Sequence, residues 1–565
     1  MANYISNRSV ITCLHGCAAS SQPLASQIGI DILKKGGNAA DAAVAMAAAL
    51  NVTEPCSTGL GGDAFCLFFD NKNQSVKAMN ASGRSPENLT LDMLNSKGFD
   101  KETGFPKIHG LAVTVPGAAA GWIDCVEKFG SGKLSPKEIL NPAIDLARNG
   151  FPVAGPHTSF SWGRGEKTLL NSNNIHRGDM LIRHQSSDGS TTFSAPKHGE
   201  IFKNPNLARV MEELSEKGKK GFYEGWVADA IVAAVKKFDG VMEKEDLLAN
   251  ESSFESPLSI AYKDITLWET APNSQGIVAL ITLNILKNFD LKQHKPDSPE
   301  YLHILIEALK LGFADGVAYV ADPSKSQVPI EGLLSKEYGK ERAKLIKENC
   351  VIKMPNAGHP QNFGKDTVYF TVVDKDRNAC SFINSNYEGF GTGIVPEGCG
   401  FTLQNRGANF SLDPDHPNVA APGKRTYHTI IPGMLTDSTT GELLMSFGVM
   451  GAFMQPQGHV QVLLNCVEFN MNPQEALDHP RIRVSPNDTP VYFEEGIPVD
   501  TLEKLRKLGH KLEGPSCGLD RFPFGKGQAI ATGPFWDADG FDKENLGNVL
   551  WAGSDPRCDG AACGY

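Results

Sequence analysis

Residues 366–395 have the sequence DTVYFTVVDKDRNACSFINSNYEGFGTGIV, and their pattern of apolar and polar residues is the starting point for predicting the fold. Two runs rich in β-branched and aromatic residues, Val368–Val373 and Ala379–Asn384, are separated by a short polar turn. This pattern predicts a β-hairpin. Thr367 opens the first strand, and Ser385 lies at the exit of the second. A Thr at the start of a strand is by itself an ordinary β-former, so a function for Thr367 depends on what the rest of the chain supplies.

The composition is that of a soluble globular protein with a large core, since 41% of its 565 residues are hydrophobic and 21% are charged. The net charge of −11 disfavours nucleic acid as a partner, because binding to phosphates needs a cationic surface. The longest apolar stretch, residues 39–52, contains Asp41 and is too short to span a bilayer. The first residues do not form a convincing signal peptide, so we expect a cytoplasmic protein, with secretion as the alternative.

Twelve cysteines are scattered along the chain, and only the pairs Cys13/Cys17 and Cys558/Cys563 are close in sequence. Neither pair has the spacing of a zinc site, and no His cluster lies beside them. We therefore expect isolated thiols that serve as small core residues, and no metal site. In a secreted protein some of these cysteines would instead form disulfides.

The balance of helices and strands changes along the chain. Residues 200–350 read as largely helical, residues 351–366 as a loose connection, and the part beyond Thr367 as mostly strands and turns. The Gly-rich turn at residues 58–63 precedes a strand and lacks Gly-Lys-Ser/Thr, so it is not a phosphate loop. Its glycines are expected to permit close approach of backbone segments.

Local signals also mark individual elements. Ser135–Glu138 is a strong helix start, with a cap, a Pro at the first position and a Glu at the third. The Ala-rich stretch at residues 39–52 predicts a buried, closely packed helix. Val113–Gly117 is predicted to end a strand before a helix over Ala118–Lys128.

A Thr that begins a strand directly after a flexible connection has a specific chemical capability. Its hydroxyl can attack the preceding carbonyl, here that of Asp366, and water can then cleave the resulting ester. The product chain begins at Thr367 and carries a free α-amine, whose pKa is about 8. This amine can serve as the base for the hydroxyl of the same residue.

Motifs that carry a family resemblance run almost from end to end: Gly36–Ala43, Glu54-Pro55, Gly59–Gly62, Val115–Gly117, Asp374–Asp376, Gly389–Ile394, Gly527–Ala529, Ser554–Arg557 and Gly564-Tyr565. In these residues the chain resembles the γ-glutamyltransferase (glutathione hydrolase) family of self-processing N-terminal-nucleophile hydrolases. The resemblance implies an α+β fold, the four-layer αββα sandwich. It also implies one precursor cut into two intertwined subunits, residues 1–366 and 367–565, acting on a small-molecule amide without a metal or organic cofactor.

The resemblance assigns catalytic roles to four positions. Thr367 falls on the nucleophile, and Ser385 on a second hydroxyl residue that hydrogen-bonds it, although an ordinary Ser at the end of a hairpin is the alternative. Gly451 matches the first of two glycines whose N–H groups form the oxyanion hole. Ala452 replaces the second glycine, and a backbone donor survives this change if the dihedral angles permit it.

The departures from the family fall on residues that hold the substrate: Ser82 for an Arg, Tyr387 for an Asn, Asn409 for an Asp, and His428 and Thr429 for two Ser. The Asp pairs with the substrate ammonium in the family, so Asn409 should weaken binding of a γ-glutamyl head group. Arg84 lies two residues beyond the expected Arg, and Arg406 is a second candidate for gripping a carboxylate. Each of these arginines has a structural ion pair as its alternative. His428 is a candidate for orienting substrate, with a packed His as the alternative.

The substituted residues resemble the glutathione hydrolase-like branch that includes oxamate amidohydrolase and resembles cephalosporin acylases. Three functions follow from this resemblance. The first is hydrolysis of γ-glutamyl or related amides through an acyl-enzyme. The second is hydrolysis of a small carboxylated, oxamate-like amide without a γ-glutamyl head group. The third is a non-catalytic binding or effector role on the same scaffold.

Overall fold

The computed structural model describes residue 6 and residues 8–171, 174–352, 367–485, 490–537, 540 and 542–565. Its helices are α1 (Pro23–Lys34), α2 (Ala39–Thr53), α3 (Leu91–Ser96), α4 (Ala118–Phe129), α5 (Pro136–Asn149), α6 (His157–Leu169), α7 (Pro205–Lys217), α8 (Lys220–Tyr223), α9 (Gly225–Lys237), α10 (Lys244–Leu248), α11 (Gly276–Leu286), α12 (Pro299–Tyr319), α13 (Ile330–Leu334), α14 (Lys336–Ala343), α15 (Met454–Val467), α16 (Pro473–Asp478), α17 (Val499–Leu508) and α18 (Lys543–Leu546).

The strands are β1 (Ile11–Cys13), β2 (Cys17–Ser20), β3 (Asp63–Asp70), β4 (Ser75–Ala81), β5 (Phe151–Pro152), β6 (Ile182–Gln185), β7 (Thr191–Ser194), β8 (Ile201–Phe202), β9 (Leu258–Tyr262), β10 (Ile265–Glu269), β11 (Val368–Val373), β12 (Ala379–Ser385), β13 (Gly433–Asp437), β14 (Leu443–Met450), β15 (Ile482–Arg483), β16 (Val491–Glu494), β17 (Leu512–Ser516), β18 (Lys526–Thr532), β19 (Leu550–Ser554) and β20 (Ala561–Gly564). The predicted connection lies outside the described residues, apart from 351 and 352.

Two antiparallel sheets form the centre of the molecule. The larger sheet has the order β1-β19-β18-β14-β13-β10-β9, and the smaller has the order β20-β2-β11-β12-β3-β4. Each sheet combines strands from before and after the undescribed residues 353–366. The two parts of the chain are therefore interwoven in both sheets.

Three apolar cores separate four layers. One core joins α1, α2, α4 and α5 to the outer face of the smaller sheet, and a second joins α11, α12, α15 and α16 to the outer face of the larger sheet. A third core, which includes Leu67, Val373, Met434 and Ile530, lies between the two sheets. This arrangement is the predicted αββα sandwich.

The predicted hairpin is present, with both of its strands. β11 and β12 pair with Val368 opposite Asn384, and every residue of both strands is buried. The predicted close approach at the Gly-rich turn is also present, because a Cβ on Gly62 would collide with the carbonyl oxygen of Ser385. The hairpin therefore packs directly against the turn that precedes β3.

Two predictions of local structure were wrong or incomplete. Residues 113–117 are not a strand, although Val115 N–H donates to the Arg84 carbonyl over 2.9 Å. The mostly helical section at 200–350 contains the hairpin β9–β10, which forms one edge of the larger sheet. Both errors arise because strand pairing depends on partners that are distant in sequence. In the part of the chain that the structure describes, no helix is long and apolar enough to cross a membrane.

Candidate active site

Three strand ends of the smaller sheet meet at one point. Thr367 directly precedes β11, Ser385 ends β12, and the register of β12 with β3 places Ser385 opposite Asp63. The Oγ1 atom of Thr367 lies 3.0 Å from the Oγ atom of Ser385, and both residues are buried. The two predicted hydroxyl residues are thus in hydrogen-bond contact. Asp366, the other residue of the predicted cleavage bond, lies outside the described residues.

Arg406 brings a positive charge to this pair of hydroxyls. It begins a 3₁₀ turn that ends at Asn409, and its side chain is completely buried. The guanidinium donates from Nη2 to Ser385 Oγ over 3.2 Å and from Nη1 to Thr429 Oγ1 over 2.8 Å. The ring of Tyr387 lies 4.5 Å from the guanidinium carbon, within the range of a cation–π contact.

The charge of Arg406 has no direct counter-ion among the described residues. The nearby carboxylate of Asp63 favours the charged form, but it is hydrogen-bonded to His428 instead. Burial is the dominant effect and lowers the pKa of Arg406 to about 10. The Nε atom is also buried and has no hydrogen-bond partner in the described part of the chain. A buried cation without a paired anion is costly, so this position is suited to an anionic ligand.

Tyr387 and Asn409 form a neutral contact beside Arg406. The Tyr387 hydroxyl donates to Asn409 Oδ1, while Asn409 Nδ2 donates to the Tyr427 carbonyl over 3.1 Å. Tyr387 has a φ of 77°, in the left-handed region that non-glycine residues seldom adopt. The side chain of Asn409 is therefore engaged at both ends, by neutral groups.

Arg84 has quite different surroundings. It donates from Nη1 to Asp322 Oδ2 over 2.9 Å and to the Gly423 carbonyl over 3.2 Å, and 40% of its side chain is exposed. It lines a cleft of about 410 Å³, whose other walls include Glu87 and Glu243. Thr367, Ser385 and Arg406 are not among the lining residues of this cleft. The structure thus gives Arg84 a carboxylate partner outside the group of residues around Thr367.

His428 is neutral and fully buried. Burial, followed by the positive charge of Arg406, lowers its pKa to about 3. The partners assign the tautomer: Nε2 carries the proton and donates to the carboxylate oxygen Oδ2 of Asp63 over 3.0 Å, while Nδ1 accepts from the Ile430 N–H over 3.4 Å. A neutral, hydrogen-bonded imidazole of this kind orients the segment 427–430 rather than titrating near pH 7.

Asp63 was not predicted as a site residue, yet it joins four segments. Its Oδ1 accepts hydrogen bonds from Gly83 N–H at 2.9 Å, Gly117 N–H at 3.2 Å and Gln404 Nε2 at 3.0 Å. Together with the contact from His428, these hydrogen bonds connect Asp63 to the segments that carry Arg84, Arg406 and Thr429. The available signal was an Asp that directly follows a Gly-rich turn and begins a buried strand.

Gly451 and Ala452 lie between β14 and α15. Thr371 Oγ1 on β11 contacts Ser446 Oγ on β14 at 2.6 Å, and the Tyr369 ring packs on Gly448. On β11, Tyr369 lies two residues after Thr367. On β14, Gly448 lies two residues before Met450, where the strand ends. The Gly451–Ala452 turn therefore follows the end of β14 that lies on the Thr367 side of these two contacts.

The backbone of this turn is compatible with an oxyanion hole. Ala452 has a φ of 54°, so the Ala adopts the left-handed conformation that a Gly would favour. Gln275 fixes the turn, since its Nε2 donates to the carbonyls of Ala452 at 2.7 Å and Thr429 at 2.6 Å. Within the described residues, no acceptor is found for the N–H groups of Gly451 and Ala452. These two donors are free to face a developing negative charge.

Comparison with known proteins gives a consistent result. A sequence model of the family described as Gamma-glutamyltranspeptidase matches residues 25–565. The Glutathione hydrolase-like YwrD proenzyme of Bacillus subtilis (strain 168) is 37% identical, with 99% of this chain and 100% of the relative covered. The Oxamate amidohydrolase proenzyme of Klebsiella pneumoniae is 31% identical, with 98% of each chain covered.

The fold is matched by solved structures as well. The crystal structure of cephalosporin acylase from Bacillus halodurans superposes with a TM-score of 0.88 at 40% identity, covering 100% of this chain and 98% of that one. This similarity supports the αββα sandwich of the N-terminal-nucleophile hydrolases. Since the family model spans nearly the whole length and the relatives are covered almost completely, the chain belongs to the gamma-glutamyltranspeptidase family.

Proposed function

We propose that this protein is a self-processing amidohydrolase whose nucleophile is Thr367 and whose substrate carries a carboxylate close to the scissile carbonyl. Membership of the family makes the chain an N-terminal-nucleophile hydrolase that acts on amide bonds. The carboxylate-bearing substrate is inferred from the buried guanidinium of Arg406, which contacts Ser385 Oγ, itself 3.0 Å from Thr367 Oγ1.

Maturation would use the Thr367 hydroxyl first. It attacks the carbonyl carbon of Asp366, the peptide nitrogen leaves as the α-amine of Thr367, and water hydrolyses the ester. The products are residues 1–366 and 367–565, which stay together because both sheets contain strands from both parts. Several relatives are named proenzymes, which is consistent with such processing in this chain.

Turnover would use the same hydroxyl with its new base. The α-amine takes the proton as Thr367 Oγ1 attacks the substrate carbonyl, and it returns the proton to the leaving amine. The N–H groups of Gly451 and Ala452 would stabilise the oxyanion, a contribution of roughly 3–4 kcal/mol for one such donor. Water then hydrolyses the acyl-enzyme ester and regenerates Thr367.

The position of Arg406 favours one class of substrate. Because its guanidinium contacts the same Ser385 hydroxyl as the nucleophile, a carboxylate held by Arg406 would lie close to the reacting carbonyl. An oxamate-like amide has its carboxylate directly on that carbonyl. A γ-glutamyl group instead has its carboxylate several bonds away and also carries an ammonium, for which Asn409 offers no charge.

The test begins with the purified wild-type protein. N-terminal sequencing of the smaller band should read Thr-Val-Tyr-Phe, from Thr367 onward. Thr367→Ala should remain one full-length chain and turn over no amide, whereas Thr367→Ser, which retains a hydroxyl, should still be cleaved. A wild-type protein that stays full-length, or a Thr367→Ala variant that is cleaved normally, would exclude Thr367 as the nucleophile.

A substrate comparison separates the remaining alternatives. We expect the processed enzyme to hydrolyse oxamate with a higher kcat/KM than a γ-glutamyl anilide. The reverse preference would assign γ-glutamyl hydrolysis. Cleavage at Thr367 without turnover of either amide would favour the non-catalytic binding role.

A further inference from the structure

Three cysteines that are far apart in sequence converge in the core. Cys66 lies on β3, Cys380 on the adjacent β12 and Cys125 on α4, which covers the outer face of the smaller sheet. Their Sγ atoms all lie within 4.8 Å of one another, and those of Cys66 and Cys380 are 3.7 Å apart. All three side chains are fully buried. The expectation of isolated thiols was therefore wrong for these three cysteines.

The spacing of the sulfur atoms matches that of a metal site. With metal–sulfur bonds of about 2.3 Å, two thiolates of a tetrahedral site are separated by roughly 3.8 Å, and those of a trigonal site by roughly 4.0 Å. The Cys66–Cys380 separation of 3.7 Å is close to these values, and the other two separations are at most 4.8 Å. Without a cation, the three thiols can exchange only weak S–H hydrogen bonds.

A buried carboxylate lies near the cluster. Asp41 on α2 is completely buried, and its charge acts on both Cys125 and Cys380. Its Oδ2 accepts from the N–H groups of Asn38 and Ser131, at 3.0 Å and 3.1 Å. Its Oδ1 is buried without a hydrogen-bond partner among the described residues. A bound cation would compensate this carboxylate as well as the thiolates.

The three thiols are already held together before an ion binds, because two of them lie on neighbouring strands and the third lies on the helix packed against those strands. The thiols must lose their protons to serve as ligands, so binding of a cation and release of protons are coupled.

We propose that Cys66, Cys125 and Cys380 form a binding site for a thiophilic metal ion of the class of Zn²⁺ and Cd²⁺. Binding converts three thiols into thiolate ligands and releases their three protons to solvent. Cys66 and Cys125 precede the undescribed residues 353–366 and Cys380 follows them. The ion therefore connects the two parts of the chain within the smaller sheet. The site is separate from Thr367 and does not depend on the proposed reaction.

The experiment must supply the metal while the protein folds, because the cluster has no solvent exposure. Full-length protein is expressed in medium with added Cd²⁺, and separately with Zn²⁺, and is then freed of loosely bound ions by gel filtration. Mass spectrometry of the metals should find one ion per wild-type chain. The cadmium form should show an ultraviolet sulfur-to-cadmium charge-transfer band.

Two variants identify the ligands. Cys125→Ser should lose the bound ion and the charge-transfer band, whereas Cys466→Ser, a buried cysteine on α15 outside the cluster, should keep both. If Cys125→Ser does not fold, X-ray absorption of the wild-type cadmium form decides, because it should report three Cd–S bonds. Wild-type protein without stoichiometric metal, or a Cys125→Ser variant with as much metal as wild type, would overturn the proposal.

Discussion

Arg406 and Arg84 lie in two different regions, although both were predicted from the sequence as candidates for binding a substrate carboxylate. Arg406 is completely buried, contacts two hydroxyls and one aromatic ring, and has no ion-pair partner among the described residues. Arg84 is 40% exposed and pairs with Asp322 at 2.9 Å. The two regions differ in whether the charge is already compensated.

This difference is informative because placing a charge at the two positions costs different amounts of free energy. An exposed ion pair contributes little, typically below about 1 kcal/mol, and needs no further ligand. A buried guanidinium without a counter-ion loses hydration that neutral hydroxyls replace only in part. An anionic ligand would compensate this charge, so Arg406 is the stronger candidate for holding the substrate.

Of the changes predicted for the two arginines and their neighbours, replacing Arg406 should have the largest effect on kcat/KM. For Arg406→Met we expect kcat/KM on a carboxylated amide to fall about 10- to 150-fold, from the roughly 1.5–3 kcal/mol of a charge-assisted hydrogen bond. Arg406→Lys should recover only part of this loss, because an ammonium cannot form the planar fork. The control is a neutral amide without a carboxylate, whose turnover should change much less. An equal loss on both substrates would mean that Arg406 acts only on structure.

Adding a carboxylate near Arg406 should shift the substrate preference toward γ-glutamyl amides. Asn409→Asp places a negative charge where Tyr387 now donates to an amide oxygen. Because a carboxylate attracts an ammonium, we expect the ratio of γ-glutamyl to oxamate kcat/KM to rise about tenfold. Asn418→Asp is a nearby control that also introduces one negative charge. A ratio that rises equally in both variants would point to a general electrostatic effect.

The lowered pKa of His428, which lies beside Arg406, should make the free energy of unfolding depend on pH. The folded-state pKa of His428 is lowered to about 3, whereas an unfolded His has a pKa of about 6.5. Below pH 6.5 the unfolded state binds a proton that the folded state does not. Stability from this residue is therefore present above pH 6.5 and is lost as the pH falls toward 3, by up to about 1.4 kcal/mol per pH unit.

Urea unfolding at several pH values measures this slope. The slope between pH 6 and pH 4 should be smaller in His428→Asn than in wild type, since Asn does not titrate. In Arg406→Met the pKa of His428 should rise, because the charge of Arg406 contributes to lowering it. Identical slopes in wild type and His428→Asn would contradict a neutral buried imidazole.

Arg84 should give the smallest effect. Arg84→Gln removes a partly exposed ion pair with Asp322, so we expect less than about a threefold change in kcat/KM on a carboxylated amide. Asp322→Asn, which removes the other partner, should behave in the same way. A loss with Arg84→Gln as large as with Arg406→Met would reverse the assignment of the two arginines.

Much of the architecture could be predicted from neighbouring residues. The hairpin around Val368–Val373, the helix start at Ser135 and the buried Ala-rich helix all follow from periodicity and capping. The hydroxyl pair Thr367 and Ser385 also lies together because both residues belong to one hairpin. The strand pair β9–β10 was missed because its place at the edge of the larger sheet depends on β13, far along the chain.

In the candidate site, too, the contacts between distant segments could not be predicted from the sequence. Asp63 could not be identified as a junction, because its partners Gly83, Gly117, Gln404 and His428 come from four separate segments. The thiol cluster was missed for the same reason, since its spacing in sequence has no metal-site pattern. Long-range contacts of this kind leave no periodic signal in the chain.

The amino-acid sequence was sufficient for the hairpin, the helix starts and the residue types available for catalysis, because periodicity and caps act between near neighbours. The family and its αββα sandwich followed from the resemblance that the ordered motifs carry. Which charges are buried and which are paired became apparent from the three-dimensional arrangement alone. Arg84 and Asp322 are 238 residues apart, and the three cysteines lie on two strands and a helix. Burial and ion pairing are properties of the packed assembly of elements, so the distinction between Arg406 and Arg84 appears only once the two sheets and their helices are in place.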